Sequence, residues 1–131
     1  MSTISEQYLE LLNSTALAHV ATKGPQGEPQ VNPVWFGWDG KQLRFSQTTT
    51  RQKAKNLAQD PRIAVSIVDP ENPFRYLEIR GTVVKVEDDP ENAFINAMAR
   101  KYMGVDVYPW HTPGDHRIVM VVEPVHTTHM G

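Results

Sequence analysis

The segment Tyr76–Glu87, YLEIRGTVVKVE, decides what kind of fold this chain can adopt. Before Gly81 the apolar residues stand at odd positions, Leu77 and Ile79; after it the alternation runs through even ones, Val84 and Val86. Side chains alternate across a strand with a period of two, so a regular strand cannot change its apolar face midway. A bulge or sharp bend near Gly81 is therefore predicted. A strand bent in its middle curls its sheet, which favours a barrel over a flat sheet.

The flanking sequence supplies the other strands. LAHVAT (17–22), Gln30–Trp38, KQLRFSQ (41–47), RIAVSIVD (62–69) and RIVMVVEPV (117–125) all read as strands. KGPQGEP joins the first two as a turn, and Asp39-Gly40 is the favoured pair for a tight two-residue hairpin. Three short helices are predicted. Ser5–Asn13 carries Tyr8, Leu9, Leu11 and Leu12 at helical spacing, and Arg51–Gln59 forms the second. The third follows Asp89-Pro90, with Phe94, Ile95, Met98 and Tyr102 on one face and Gly104 as its C-terminal cap. The sum is a mainly β (α+β) fold, a six-stranded antiparallel barrel with three short helices, in a single domain covering 1–131.

Composition bounds the function. Of 131 residues, 40% are hydrophobic and 21% charged, as in an ordinary globular domain. Thirteen basic residues stand against 15 acidic ones, a formal net charge of −2, which argues against nonspecific nucleic-acid binding. There is no cysteine, so thiol catalysis and thiolate metal sites are excluded. The N-terminal MSTISEQYLELLNS has neither a basic nor a long apolar region, and no apolar run is long enough to span a bilayer. A cytoplasmic protein without a signal peptide is expected.

Against that balance, Ser46–Leu57, SQTTTRQKAKNL, concentrates donors. Thr48, Thr49 and Thr50 sit where the second helix should begin, and free amides with the positive end of the helix dipole favour an anion there. Arg51 and Lys53 add two charges within one turn, and an arginine can engage two phosphate oxygens at once. This suits a phosphate, although the segment lacks the glycine cradle of a P-loop. A solvated helix face is the other reading of the same charges. On either reading Arg51, Lys53 and Lys55 are taken as exposed, so that removing a lysine leaves stability almost unchanged. In Gln30–Phe36, QVNPVWF, Pro33 cannot donate to a ladder and marks an edge, a bulge or backbone facing something other than a strand. Trp35 shares its face and Asn32 offers an amide; the alternative is an edge strand with a tryptophan at a subunit contact.

The stretch from Glu28 to Asp88 resembles the pyridoxamine 5′-phosphate oxidase-like split β-barrel superfamily, through PQVNPVWF, TTTRQKAKNL, DPR and FRYLEIRGTV. It is most similar to the small actinobacterial members that use the deazaflavin coenzyme F-420 in place of FMN. The resemblance implies a homodimer with two cofactors in grooves between subunits. It implies that Thr48, Thr49, Thr50, Arg51 and Lys53 hold the cofactor phosphate, with Gln52 and Asn56 near its tail. Asn32, Pro33, Val34 and Trp35 would lie beside the ring, and Phe74 and Tyr76 would reach in from the partner chain. The implied activity is hydride transfer from reduced F-420 to a small conjugated acceptor such as an enone or quinone, with no catalytic side chain. FMN in the same fold and a non-enzymatic flavin or deazaflavin carrier are the alternatives. The chain ends VEPVHTTHMG, without the arginine-rich segment that binds substrate phosphate in pyridoxamine phosphate oxidases, which argues against vitamin B6 oxidation. His126 with His129, and His111 with His116, lack the context of a zinc site, and no metal is expected.

Overall fold

A computed structural model describes residues 4–131. Seven antiparallel strands form a single sheet in the order β2-β1-β5-β6-β7-β4-β3. They are β1 (Ala18–Lys23), β2 (Pro29–Val34), β3 (Gly37–Trp38), β4 (Leu43–Thr48), β5 (Arg62–Asp69), β6 (Asn72–Asp88) and β7 (Arg117–Met130). A 3-10 turn at Glu6–Tyr8 runs into α1 (Leu9–Leu12); α2 spans Gln52–Gln59 and α3 spans Ala93–Met103.

The seventh strand corrects the expected count of six. Gln30–Trp38 is two strands, because the ladder with β1 stops at Val34 and pairing resumes on β4 only at Gly37. Trp35 and Phe36 bridge the interval. Phe36 is fully buried, so the chain crosses from one end of the sheet to the other while plugging the core. The sheet is thereby wrapped into a split barrel whose seam is the Trp35–Phe36 junction.

The bend at Gly81 is present and has two parts. Register on β7 shifts between Arg80 and Gly81, where Val125 is skipped, and again between Val83 and Lys85, where Val84 is skipped. Leu77 and Ile79 lie fully buried and Val83 packs against the core, whereas Val84 and Val86 are exposed. The even positions after Gly81 are therefore an apolar exterior and no part of the barrel core. At Gly81 itself the constraint is steric: a Cβ would run into the backbone carbonyl oxygen of Glu123.

The tight Asp39-Gly40 turn is also corrected. Trp38 pairs with Leu43, so four residues form the loop, and only Gly40 has a positive φ (94°). Asp39 shapes this loop by accepting the Lys41 and Gln42 amides on Oδ1, at 2.9 and 2.6 Å, as an Asx-type turn.

Inside, Leu43 and Phe45 of β4, Val65 and Ile67 of β5, Leu77 and Ile79 of β6, and Met120 and Val122 of β7 form the core with Tyr8, Leu11 and Leu12. α3 covers the outer face near the seam. Asp89 Oδ2 accepts the Phe94 and Ile95 amides (3.0 and 3.4 Å), fixing the start of that helix. From its last turn, the Tyr102 hydroxyl donates to Ala16 O (2.7 Å) and accepts the Phe36 amide (3.2 Å), while Lys101 Nζ donates to Phe36 O (2.7 Å). Burial raises the Tyr102 pKa and lowers that of Lys101. These bonds supply what the interrupted ladder cannot, because backbone groups at the seam have no strand partner. Tyr102→Phe is expected to destabilise the protein by about 1–3 kcal/mol, the scale for a buried group left unsatisfied, as read by chemical denaturation.

Candidate cofactor groove

A groove of about 400 Å³ opens beside this seam, lined by Asn32–Trp35 of the β2 end, Ser46–Thr48 of β4, Arg51 just before α2, Lys53 of α2, and Arg117 of β7. Leu17, Ile95 and Met98 add apolar surface, and Tyr108 and Trp110 come from the loop after α3. Three of the lining residues are cationic (Arg51, Lys53 and Arg117) and none is acidic. In a chain of net charge −2, that selects for an anion.

The cationic end follows from how β4 hands over to α2. The Arg51 amide donates to Thr48 O (3.1 Å), turning the chain, and Arg51 then stands at the N-cap position with no side chain capping the helix. First-turn amides of an uncapped helix are open donors. Lys53 is only 3% exposed, which corrects the expectation of a solvated side chain. Its ammonium donates to Asn32 Oδ1, joining α2 to β2. Burial, and secondarily the neighbouring Arg51 charge, lower its pKa. No carboxylate pairs with Lys53 among the described residues, so its buried charge has no counter-ion from this chain.

The other wall is aromatic. Trp35 stacks on Tyr102 at 5.2 Å between ring centroids, with 6° between the planes. Tyr108 meets Trp35 edge-on at 6.0 Å and Trp110 at 5.7 Å. Such a wall accepts a flat conjugated ring. Two buried polar atoms beside it lack partners, Gln47 Oε1 and Arg117 Nε. Unsatisfied atoms at one groove are the feature expected of a polar ligand site. A phosphate-bearing, flat, hydrogen-bonding cofactor of the flavin type fits this donor set.

The residues expected at the site divide into three groups. Asn32, Pro33, Val34, Trp35, Thr48, Arg51 and Lys53 are brought together in the groove. Thr49 and Thr50 lie in the exposed turn just before α2; the Thr49 amide is used by His116 O (3.1 Å), and Thr50 Oγ1 lies 3.4 Å from Thr48 Oγ1. Gln52 and Asn56 face a neighbouring depression with Gly24, Glu28 and Gln30, where Gln52 Nε2 donates to Asn56 Oδ1 (2.8 Å) and Asn56 Nδ2 to Thr22 Oγ1 (3.0 Å). Phe74 and Tyr76 are outside this chain's groove, on the start of β6, with Phe74 77% exposed. Sequence reasoning missed Ser46, Gln47, Tyr108 and Trp110 as groove residues. Only the aromatic density of the loop after α3 hinted at Tyr108 and Trp110.

A split antiparallel barrel with an aromatic and cationic groove at its seam is the architecture of the oxidoreductases that bind flavin-type cofactors. The family model described as pyridoxamine 5′-phosphate oxidase matches residues 4–130, and the chain belongs to that family. A search of the curated proteins finds no match. Among solved structures, the chain is similar to a protein named "F420 Reductase", with 42% identity and a TM-score of 0.86 over 95% of this chain and 98% of that one. It is also similar in fold to a conserved hypothetical protein of Mycobacterium tuberculosis (22% identity, TM-score 0.76, covering 98% and 85%). The General Stress Protein 26 of Bacillus anthracis str. Sterne shares the fold too (15% identity, TM-score 0.72, covering 95% and 92%). Among the described residues no helix is long and apolar enough to cross a membrane.

Proposed function

We propose that this protein is a coenzyme F-420-dependent oxidoreductase that passes a hydride from the reduced deazaflavin to a small conjugated acceptor such as an enone or quinone. The observation that carries the reading is the groove itself, a buried unpaired lysine at one end and an aromatic wall at the other. The near full-length similarity to a protein named for F420 supports the choice of cofactor. Thr48, Arg51, Lys53 and the first amides of α2 would hold the phosphate. Thr49 and Thr50 would add hydroxyls from the preceding turn, and Gln52 and Asn56 would border the tail. Asn32 to Trp35 would line the ring, and Phe74 and Tyr76 would come from a second subunit.

When bound, such a cofactor supplies the hydride chemistry, leaving binding, orientation and exclusion of water to the protein. Lys53 and Arg51 fix one end; Trp35, held flat by Tyr102, fixes the plane. Ile95 and Met98 would give the bound cofactor apolar surroundings. No side chain has to act as a nucleophile, and the proton that completes the product comes from water at the open mouth.

Fluorescence titration tests the cofactor. F-420 is expected to bind more tightly than FMN, because exposed cationic and amide groups at the start of α2 (Arg51, Gln52) suit an anionic tail that FMN lacks. Equal or tighter FMN binding would replace F-420 with FMN in this reading. Turnover with a panel of acceptors separates an enzyme from a carrier.

The reading includes a homodimer. Val84, Val86 and Val125 form exposed apolar surface around the β6–β7 bulges, at 53%, 54% and 59% exposure. A protein of 14.8 kDa with that exterior gains by covering it. Sedimentation at micromolar concentration is expected to give twice the chain mass, and a compact active monomer would refute the dimer.

A further inference from the structure

We propose that Arg117 selects the hydride acceptor: the groove takes a flat, conjugated acceptor bearing a carboxylate, and Arg117 holds that carboxylate. The reaction assigned to this acceptor rests on the proposed function above, whereas the recognition of the anion stands on the groove alone.

A phosphate at the α2 end accounts for Arg51 and Lys53, and leaves Arg117 without an anion. Arg117 is 9% exposed and forms no ion pair among the described residues. One terminal nitrogen donates to Ser46 Oγ at 3.1 Å, and the buried Nε has no partner. A buried guanidinium without a counter-ion is retained where a ligand brings one. The side chain also points away from the phosphate end. Arg117 pairs in register with Thr48, the strand residue nearest α2, yet its guanidinium reaches Ser46, two residues back along β4.

The surroundings narrow the anion. The guanidinium lies over the Tyr108 ring (4.7 Å to the centroid), and Tyr108 packs against Trp110 and Trp35. An arginine edge donates two parallel hydrogen bonds to a planar carboxylate. A carboxylate conjugated with its own ring or double bond is flat, and can lie in the groove along this aromatic wall with its oxygens on that edge. A tetrahedral phosphate would turn oxygens toward aromatic faces that offer no donors.

The placement serves the chemistry. A hydride supplied by the bound reduced cofactor forms the C–H bond at the carbon β to the carboxylate. The C=C electron pair moves to the α-carbon, in conjugation with the carboxylate, and a proton from water completes the saturated acid. The acceptor gains two electrons and the cofactor loses two. Arg117 opposes the charge that accumulates on the carboxylate oxygens.

The test uses the protein without cofactor, with cinnamate and its neutral analogue cinnamamide as probes. Quenching of tryptophan fluorescence is followed at fixed ionic strength in the parent, Arg117→Gln, Arg117→Lys and Lys53→Gln. The parent is expected to bind cinnamate at least about tenfold more tightly than cinnamamide, the scale of one charge-assisted contact. Arg117→Gln should lose that preference and leave cinnamamide within about twofold, while Lys53→Gln keeps it. Arg117→Lys, which retains charge without the planar edge, should keep only a reduced preference, and decides the matter if Arg117→Gln lacks a native melting transition. Equal binding of both probes by the parent, an undiminished preference in Arg117→Lys, or equal loss in Lys53→Gln would overturn the proposal. F-420 and FMN titrations on the same variants keep the two readings apart. Failure of both cofactors to bind refutes the assigned reaction and leaves carboxylate recognition standing. Normal cofactor binding without probe discrimination does the reverse.

Discussion

Lys53→Met is expected to weaken cofactor binding by about 1.5–3 kcal/mol, roughly 10- to 150-fold in dissociation constant, while raising the melting temperature of the unliganded protein. The two effects have one cause. Lys53 is almost completely buried with only an amide oxygen, Asn32 Oδ1, as partner. A neutral side chain of similar length removes the desolvation penalty, and Asn32 is exposed, so water replaces the lost donor. A gain on the order of 1 kcal/mol is expected, the usual trade between a binding site and stability. Lys55 is exposed on the same helix, and Lys55→Ala should change both quantities little.

The pH dependence has a definite sign. Burial lowers the folded-state pKa of Lys53 below its ordinary value of 10.5, so between the two values the unfolded chain binds more protons. Parent stability therefore rises with pH through that window, and the advantage of Lys53→Met shrinks there. Ligand anion reverses the shift, so cofactor binding at alkaline pH should take up protons, measurable by calorimetry in buffers of different ionisation enthalpy. Binding without proton uptake, or a parent-like affinity in Lys53→Met, would remove Lys53 from the phosphate clamp.

Gly81→Val is expected to be the most damaging single substitution in the sheet, at about 3 kcal/mol or more in denaturant unfolding. Even the first atom of a side chain there meets the Glu123 carbonyl oxygen, with Val122 Cγ1 at 3.1 Å behind it. Both belong to β7, which pairs with β6 across the bulge and cannot withdraw without breaking that ladder. Gly40→Ala is the contrast. Its Cβ meets nothing, but its φ of 94° strains any other residue, so about 1 kcal/mol is expected. If Gly81→Val melts like the parent, the close approach of β6 and β7 is wrong.

Much of the architecture was legible in the sequence because it rests on local rules. Alternation in Arg62–Asp69 defines β5 to the residue, and the switch of apolar face in Tyr76–Glu87 announces the bulges that curl the sheet. Helical spacing places α2 and α3, and the run of threonines before Arg51 marks a helix start; that no side chain caps it is seen only in the structure. The seam was not legible. Pro33 signals an interrupted strand, but the interruption falls at Trp35–Phe36, where Tyr102 and Lys101 hold the backbone from 65 and more residues away. The outward aim of Val84 and Val86 likewise depends on how β6 registers against β7.

By itself the sequence determined the strands, the bend, the helices and the cationic segment, since each follows from the residue types within a few positions of one another. Only the tertiary structure decided which charges are buried and what they face. Lys53 is enclosed by β2, and Arg117 by Ser46 and by the loop carrying Tyr108. Desolvation is a property of everything packed around a group, and the neighbours that desolvate these two arrive from 21 and 71 residues away.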